Sequence, residues 1–277
     1  MTDSDPLSDQ AATPPHSARM YDYFLGGKDN YPSDREAAEK AFAVLPCART
    51  SARANRAYMH RSAHELARRG FRQFLDIGTG IPTRPNLHEI VQGVAPECRV
   101  VYVDNDPIVL AHAQALMAGT PEGRTAYVEA DVTKPETILG APELAATLDL
   151  SEPVALSLNA VFHFVPDEYG PHEILAELLA VLPSGSALSL SHLTADLDPD
   201  GITKAVASYR RSGVPAQARS RAEFERFFTG LDLLDPGVAL AHRWHPEVTV
   251  PHGDHATPGT GVPDAEISMW VGVALKP

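Results

Sequence analysis

The sequence predicts an α/β fold: a doubly wound, mostly parallel sheet of about seven strands, large for a typical sheet, with a helical cap at the N-terminus. Three observations predict it. From Phe71 onward, short apolar runs alternate with helical stretches at the spacing of βαβ units. The first run leads into the glycine loop Gly78-Thr79-Gly80. Each of the first three runs also carries an aspartate at or just beyond its end, at Asp76, Asp104 and Asp131.

Residues 1–15 are rich in Asp, Ser and Pro with almost nothing to bury, the composition of a disordered tail. Residues 16–70 read as a helical cap: Ala52, Met59, Ala63 and Leu66 recur at helical spacing, and Gly70 supplies a stop. Within the cap, the segment from Tyr21 to Tyr31 is too aromatic for a linker and too rich in Gly and Asp for a plain helix. The α/β part, 71–277, has strands expected at 71–77, 100–103, 125–129, 154–158 and 187–190. Helices are expected at 86–94, 107–117, 173–182, 202–211 and 221–228. Pro107 suits a first helical turn, where its missing N–H costs nothing. The stretches 237–241 and 267–275 can add two more strands.

The chain has 277 residues, 44% of them hydrophobic, enough to bury one large core. The net charge of −13 argues against a general nucleic-acid or anionic-membrane binder. No apolar run approaches the ~20 residues that span a bilayer, and the acidic start lacks the features of a secretory signal. Cys47 and Cys98 form no framework and no CxxC pair. A reduced cytoplasm is the expected compartment. Seven arginines crowd between Arg49 and Arg72 with only Glu65 opposing them. Such a run is usually a solvated helix face, and otherwise a patch for an acidic partner.

Parallel sheets bind ligands beyond the C-terminal ends of their strands. Glycines at Gly78 and Gly80 let the backbone turn sharply and approach a ligand. A dinucleotide fingerprint would need a third glycine where Thr83 stands, after Pro82, so a pyrophosphate fits poorly. Asp76 would repel phosphates, yet it suits the cationic, phosphate-free end of S-adenosylmethionine. Asp104, closing the second strand, is placed to accept hydrogen bonds from both ribose hydroxyls. Asp131 can meet the adenine amino group while Val132 packs on the ring. Carboxylates are seldom buried without partners, so three at successive strand ends point to a ligand.

The chain resembles an actinobacterial family of S-adenosylmethionine-dependent methyltransferases long catalogued as a domain of unknown function. The matching text runs Tyr21-Asp22-Tyr23-Phe24-Leu25-Gly26-Gly27-Lys28-Asp29-Asn30, Ala54-Asn55-Arg56 and Phe74 to Thr83. It continues through Asn86-Leu87-His88-Glu89, Val101 to Pro107 and His163-Phe164-Val165-Pro166-Asp167. The resemblance implies a Rossmann-like class I methyltransferase fold, S-adenosyl-L-methionine as cofactor and methyl transfer to a small-molecule acceptor. Arg19, Tyr21, Thr83, Asn105 and Asn159 join Asp76, Gly78, Thr79, Gly80, Asp104, Asp131 and Val132 as expected cofactor contacts. Two other activities stay open: a cofactor-binding protein without turnover, and a nicotinamide-dependent oxidoreductase, which Thr83 disfavours.

Two further roles are expected. Tyr23, Gly26, Gly27, Lys28, Asp29 and Asn30 would form a lid, with the glycines as hinge and the aromatics over the sulfonium. In the loop after the fourth strand, Asn159 can orient an acceptor, and Phe162 and Phe164 would line a dry pocket. His163 is the candidate general base, because it titrates near neutral pH. The pairs His242/His245 and His252/His255 are interrupted by Pro246, Pro251 and Gly253, so no metal is expected. No Gly-x-Ser-x-Gly elbow or Walker loop occurs, which disfavours a hydrolase and an ATPase.

Overall fold

Strands buried on both faces need near-continuous apolar runs, because helices cover the sheet above and below. The computed structural model, which describes residues 14–116, 119–250 and 261–277, shows this arrangement. Helices α1 (Ser17–Leu25), α2 (Pro32–Val44) and α3 (Ala48–Arg68) come first. The alternating part follows as β1 (Gln73–Ile77), α4 (Leu87–Val94), β2 (Arg99–Asp104), α5 (Pro107–Leu116) and β3 (Arg124–Glu129). Short helices α6 (Pro135–Leu139) and α7 (Pro142–Thr147) lead to β4 (Ala155–Asn159), α8 (Pro171–Ala180), β5 (Ala187–Leu193) and α9 (Pro199–Arg211). The last elements are α10 (Arg221–Glu225), β6 (Asp232–Leu233), β7 (Ala239–Leu240) and β8 (Met269–Leu275).

The strands form one sheet of order β3-β2-β1-β4-β5-β8-β6, with β7 pairing β8 off that path. Strands β1 to β5 run parallel, and β8 lies antiparallel between β5 and β6. Among the described residues the sheet has eight strands rather than about seven. The added strand is the two-residue, exposed β6, which carries no apolar pattern to announce it. Chain order reverses between β1 and β4, which opens a crevice at their C-terminal ends. There Asp76 of β1 sits in register with Ser157 of β4.

One correction concerns the cap. Residues 16–70 are not a single cap, because α3 is a layer of the domain itself. Its Tyr58, Met59, Ala63 and Leu66 share a core with Phe74, Val100, Tyr102, Val271 and Val273. The Tyr58 hydroxyl donates to the Gly272 carbonyl at 2.7 Å, and its ring meets Trp244 edge-on at 5.3 Å. Only α1 and α2 lie outside that layer, with their own apolar cluster around Met20, Phe24 and Ala38.

The arginine run is neither a bare face nor a patch. Arg61 is buried and donates to the Trp244 and Ala241 carbonyls at 2.8 and 2.6 Å. Arg49 stacks on Phe42 at 4.9 Å, and Arg69 and Arg72 pair with Glu65 and Glu97 at 2.8 and 2.6 Å. Of the expected tail, residues 1–13 lie outside the described residues, as do Met117, His252 and His255. Among the described residues, no helix is long and apolar enough to cross a membrane.

The cap is clipped to the sheet by one buried arginine. Arg19 on α1 donates from Nε to Asp34 of α2 at 2.9 Å and from Nη1 to Asp106 at 2.6 Å. All three side chains are nearly inaccessible, at 3%, 0% and 4% exposure. Removing one partner of such a group strands the others in the interior, at a cost of about 3–5 kcal/mol. Arg19→Met should therefore lower unfolding stability by about that amount in urea titration.

Candidate functional site

The site forms where β1 ends. Gly78 (φ 76°) and Gly80 (φ 69°) take left-handed backbone conformations. A Cβ on Gly78 would lie 2.7 Å from the Val161 side chain, so glycine is required there. The loop's N–H groups are already used. Those of Gly78 and Thr79 donate to the Val103 carbonyl at 2.8 and 3.2 Å, and that of Gly80 to Asp104 Oδ2 at 2.8 Å. No helix begins at the loop either, since α4 starts only at Leu87. The two usual devices for gripping phosphate, free loop amides and a helix N-terminus, are both absent from this loop.

Beside this loop lies a cavity of about 490 Å³, within the range of small-molecule sites. At one end it is lined by Asp76, Gly78, Thr79, Gly80, Asp104, Asn105, Asp131 and Val132. Burial raises the Asp104 carboxyl above its ordinary value, partly offset by the amides of Asp106 (3.0 Å) and Gly80 that donate to it. Each of its oxygens keeps a lone pair for a further donor. Asp131 receives the Thr133 amide at 2.9 Å. Burial also pushes Asp76 up to about 6, while the Ser157 hydroxyl and the Arg56 charge pull it down. Ser157 Oγ donates to Asp76 Oδ1 at 2.7 Å and accepts from Asn159 Nδ2 at 2.9 Å. This chain orients both cavity-lining side chains across the β1–β4 crevice.

The other expected residues divide. Tyr21 and Asn159 line the cavity, and so does His163, behind β4. Arg19 and Thr83 do not. Arg19 is the structural clip described above, and the Thr83 hydroxyl turns back to the Ile81 carbonyl at 3.2 Å. The lid residues Tyr23, Gly26, Gly27, Lys28, Asp29 and Asn30 are also outside the lining. Their glycines have another purpose than a hinge. Gly26 caps α1 with φ 85°, and Gly27 passes so near Asp22 that a Cβ would stand 1.9 Å from its carboxylate. Asp22 in turn accepts from the Asp29 amide at 3.0 Å and Asn30 Nδ2 at 2.7 Å, which fixes the turn.

His163 departs from its expected chemistry. Burial, reinforced by the Arg219 charge, lowers it to about 3. Its ring is therefore neutral near pH 7 but too weak a base to drive proton abstraction. Among the described residues, no cluster of three His, Cys, Asp or Glu side chains could hold a metal. His242 and His245 bond instead to Asp264 and Glu247, at 3.1 and 2.7 Å.

Sequence reasoning missed Ser157, Arg56 and Tyr209. Ser157 becomes recognisable only once β4 is known to lie beside β1. Arg56 was hidden inside a charge run. Tyr209 reaches the cavity from α9, far along the chain.

Asp104, Asp131 with Val132, and Asp76 are the lining residues that could hold the ribose, base and cationic end of a nucleoside without phosphates. Fold and site together define a Rossmann-like protein that binds a phosphate-free nucleoside cofactor. Comparison with known proteins agrees. The S-adenosyl methyltransferase family model matches residues 5–277. A DUF574 family protein from Streptomyces avermitilis is 51% identical over 95% of this chain and 98% of its own, with a TM-score of 0.90. A Thermobifida fusca protein named as a putative methyltransferase is 34% identical over 98% of both chains, with a TM-score of 0.86. The plantazolicin methyltransferase BpumL, solved with SAH, is 14% identical over 94% of this chain and 95% of its own, and at a TM-score of 0.52 it shares the fold. No curated protein sequence matches the chain. The chain belongs to the S-adenosyl methyltransferase family. It is an S-adenosylmethionine-dependent methyltransferase with S-adenosyl-L-methionine as its cofactor.

Two predictions follow from the geometry. Asp104→Ala removes two charge-assisted acceptors, each worth roughly 1.5–3 kcal/mol. S-adenosylhomocysteine affinity should fall on the order of 100-fold or more in calorimetric titration, with the melting temperature recorded alongside. Asp76 makes affinity depend on pH. With a folded value of about 6 against an ordinary 3.8, its protonated form persists in the free protein up to about pH 6. On this account the free protein loses stability as pH rises through that window. A cationic ligand selects the ionised form. S-adenosylmethionine affinity should therefore rise up to about pH 6 and level off above it, by up to about tenfold per pH unit below. Asp76→Asn should flatten that step.

Proposed function

We propose that this methyltransferase acts on a small, uncharged, largely apolar acceptor, and that alignment and exclusion of water supply most of its catalysis. The observation that carries this is the far half of the cavity. There the walls are Phe24, Leu45, Phe164, Leu193, Tyr209 and Val214, contributed by the cap, the loop after β4, β5, α9 and the loop after α9. The charged lining residues are Arg56, Asp76, Asp104 and Asp131, all near the ends of β1 to β3 or on α3. A charged acceptor in the apolar half would lose hydration with nothing to replace it.

Bound S-adenosylmethionine supplies an electrophilic methyl group on a cationic sulfur. Asp104 holds the ribose, and Asp131 with Val132 holds the adenine. Asn159, steadied through Ser157, presents its amide where the two halves of the cavity meet. The expected lid becomes a wall in this reading: α1 covers the site with Tyr21 and Phe24, whose rings can face the sulfonium. His163 serves as a neutral, polar part of the acceptor wall rather than as the base. The acceptor's proton then leaves to solvent. Both cysteines are free thiols, in keeping with a reduced cytoplasm.

The test is methyl transfer from radiolabelled S-adenosylmethionine. Transfer to an uncharged aromatic such as 2-naphthol, but not to its carboxylated counterpart, is the expected result. Labelling confined to protein or nucleic acid would overturn this reading. His163→Ala should cost less than the roughly 10²–10⁴-fold typical of a lost general base. The kcat/KM profile should show no step from His163 between pH 5 and 8, and a step that His163→Ala abolishes would restore it as the base.

A further inference from the structure

The cofactor implied by this site ends in an amino acid, which brings a carboxylate as well as an ammonium into the cavity. Asp76 answers the ammonium. Nothing described so far answers the carboxylate, and it would enter a wall that already carries Asp76, Asp104 and Asp131. Unanswered, that like-charge arrangement would oppose binding.

Arg56, on α3, is the only arginine or lysine among the described residues that line the cavity. It makes no ion pair with any carboxylate among the described residues, and it does not approach Asp76 to within the 4.0 Å of a salt bridge. Yet the two charges act on each other, each favouring the ionised form of the other. Its Nη2 donates to the carbonyls of Thr83 and Pro85, the latter at 2.9 Å. The Pro85 carbonyl is also met by His60 Nε2 at 3.0 Å. Those contacts fix the orientation of the guanidinium by one corner. Its Nη1 makes no hydrogen bond to a described residue and is not among the buried unpartnered atoms. A half-buried, oriented cation with a free donor, set apart from the Asp76 carboxylate in the same wall, forms a slot for a zwitterion. Guanidinium suits the task because its planar fork matches a carboxylate.

We propose that Arg56 binds the carboxylate of the cofactor's amino-acid end, so that Arg56 and Asp76 together select the zwitterion. This inference rests on the S-adenosylmethionine reading of the site. It makes Arg56 a specificity residue for intact S-adenosylmethionine over analogues lacking the carboxylate.

Three ligands separate this role from a purely structural one: S-adenosylmethionine, decarboxylated S-adenosylmethionine and 5′-methylthioadenosine, each titrated calorimetrically. The wild type should prefer S-adenosylmethionine over its decarboxylated form by about 10- to 100-fold, the usual worth of a hydrogen bond to a charged group. Arg56→Met should erase that preference while leaving 5′-methylthioadenosine within about twofold, because that ligand never reaches Arg56. Arg56→Lys should restore part of the preference. If Arg56 only staples the Thr83–Pro85 loop, Arg56→Met weakens all three ligands together and lowers the melting temperature, and the proposal is wrong. A wild type without preference for the carboxylate overturns it as well. If no ligand of the three binds the wild type, the cofactor reading itself has failed.

Discussion

Buried carboxylates govern this molecule. An aspartate taken out of water must find donors or give up its charge. Asp104 finds two backbone amides, and Asp76 finds the Ser157 hydroxyl and the field of Arg56. Neither set of partners is complete, so both groups sit above their ordinary values and keep acceptor capacity toward the cavity. The glycine loop completes the arrangement. Its amides are committed to Val103 and Asp104, which leaves the loop without free donors for a phosphate.

The same constraint explains how the cap is attached. Asp34 and Asp106 belong to different elements, and each would be costly to bury alone. Arg19 satisfies both, and its third nitrogen reaches the Pro14 carbonyl at 2.7 Å. The cap therefore docks through a polar clip next to the cofactor end, while its apolar cluster of Met20, Phe24 and Ala38 sits farther along. Arg19, one basic side chain beside two acids, thus has an architectural task. Arg56, two helices on and with no carboxylate partner among the described residues, has the free donor that Arg19 lacks.

Charge runs are deceptive for a related reason. A guanidinium on a long stem can lie on a ring, cap a carbonyl or face a ligand, and sequence spacing does not say which. Helix α3 shows each case, with Arg49 on Phe42, Arg61 on two buried carbonyls and Arg56 at the cavity. His163 is the parallel case among weaker bases. Its ordinary value near neutrality suggested a base, but burial beside Arg219 removes that property.

What the sequence determined by itself was the alternation of strand and helix and the acidic ends of β1 to β3. Both are local: period and composition set them, and Asp76, Asp104 and Asp131 follow directly from where apolar runs stop. Two-residue strands such as β6 escaped because so short a pairing leaves no pattern. Tertiary structure alone decided which residues stand beside those acids. Ser157 meets Asp76 only because strand order reverses between β1 and β4, and Tyr209 reaches the cavity only because α9 packs against α2 of the cap. It also decided that the Gly26-Gly27 pair closes a turn around Asp22 and that α3 is a layer rather than a cap. Contacts between distant segments, and the loss of hydration that sets each titratable group's charge, come into being only when the chain has packed.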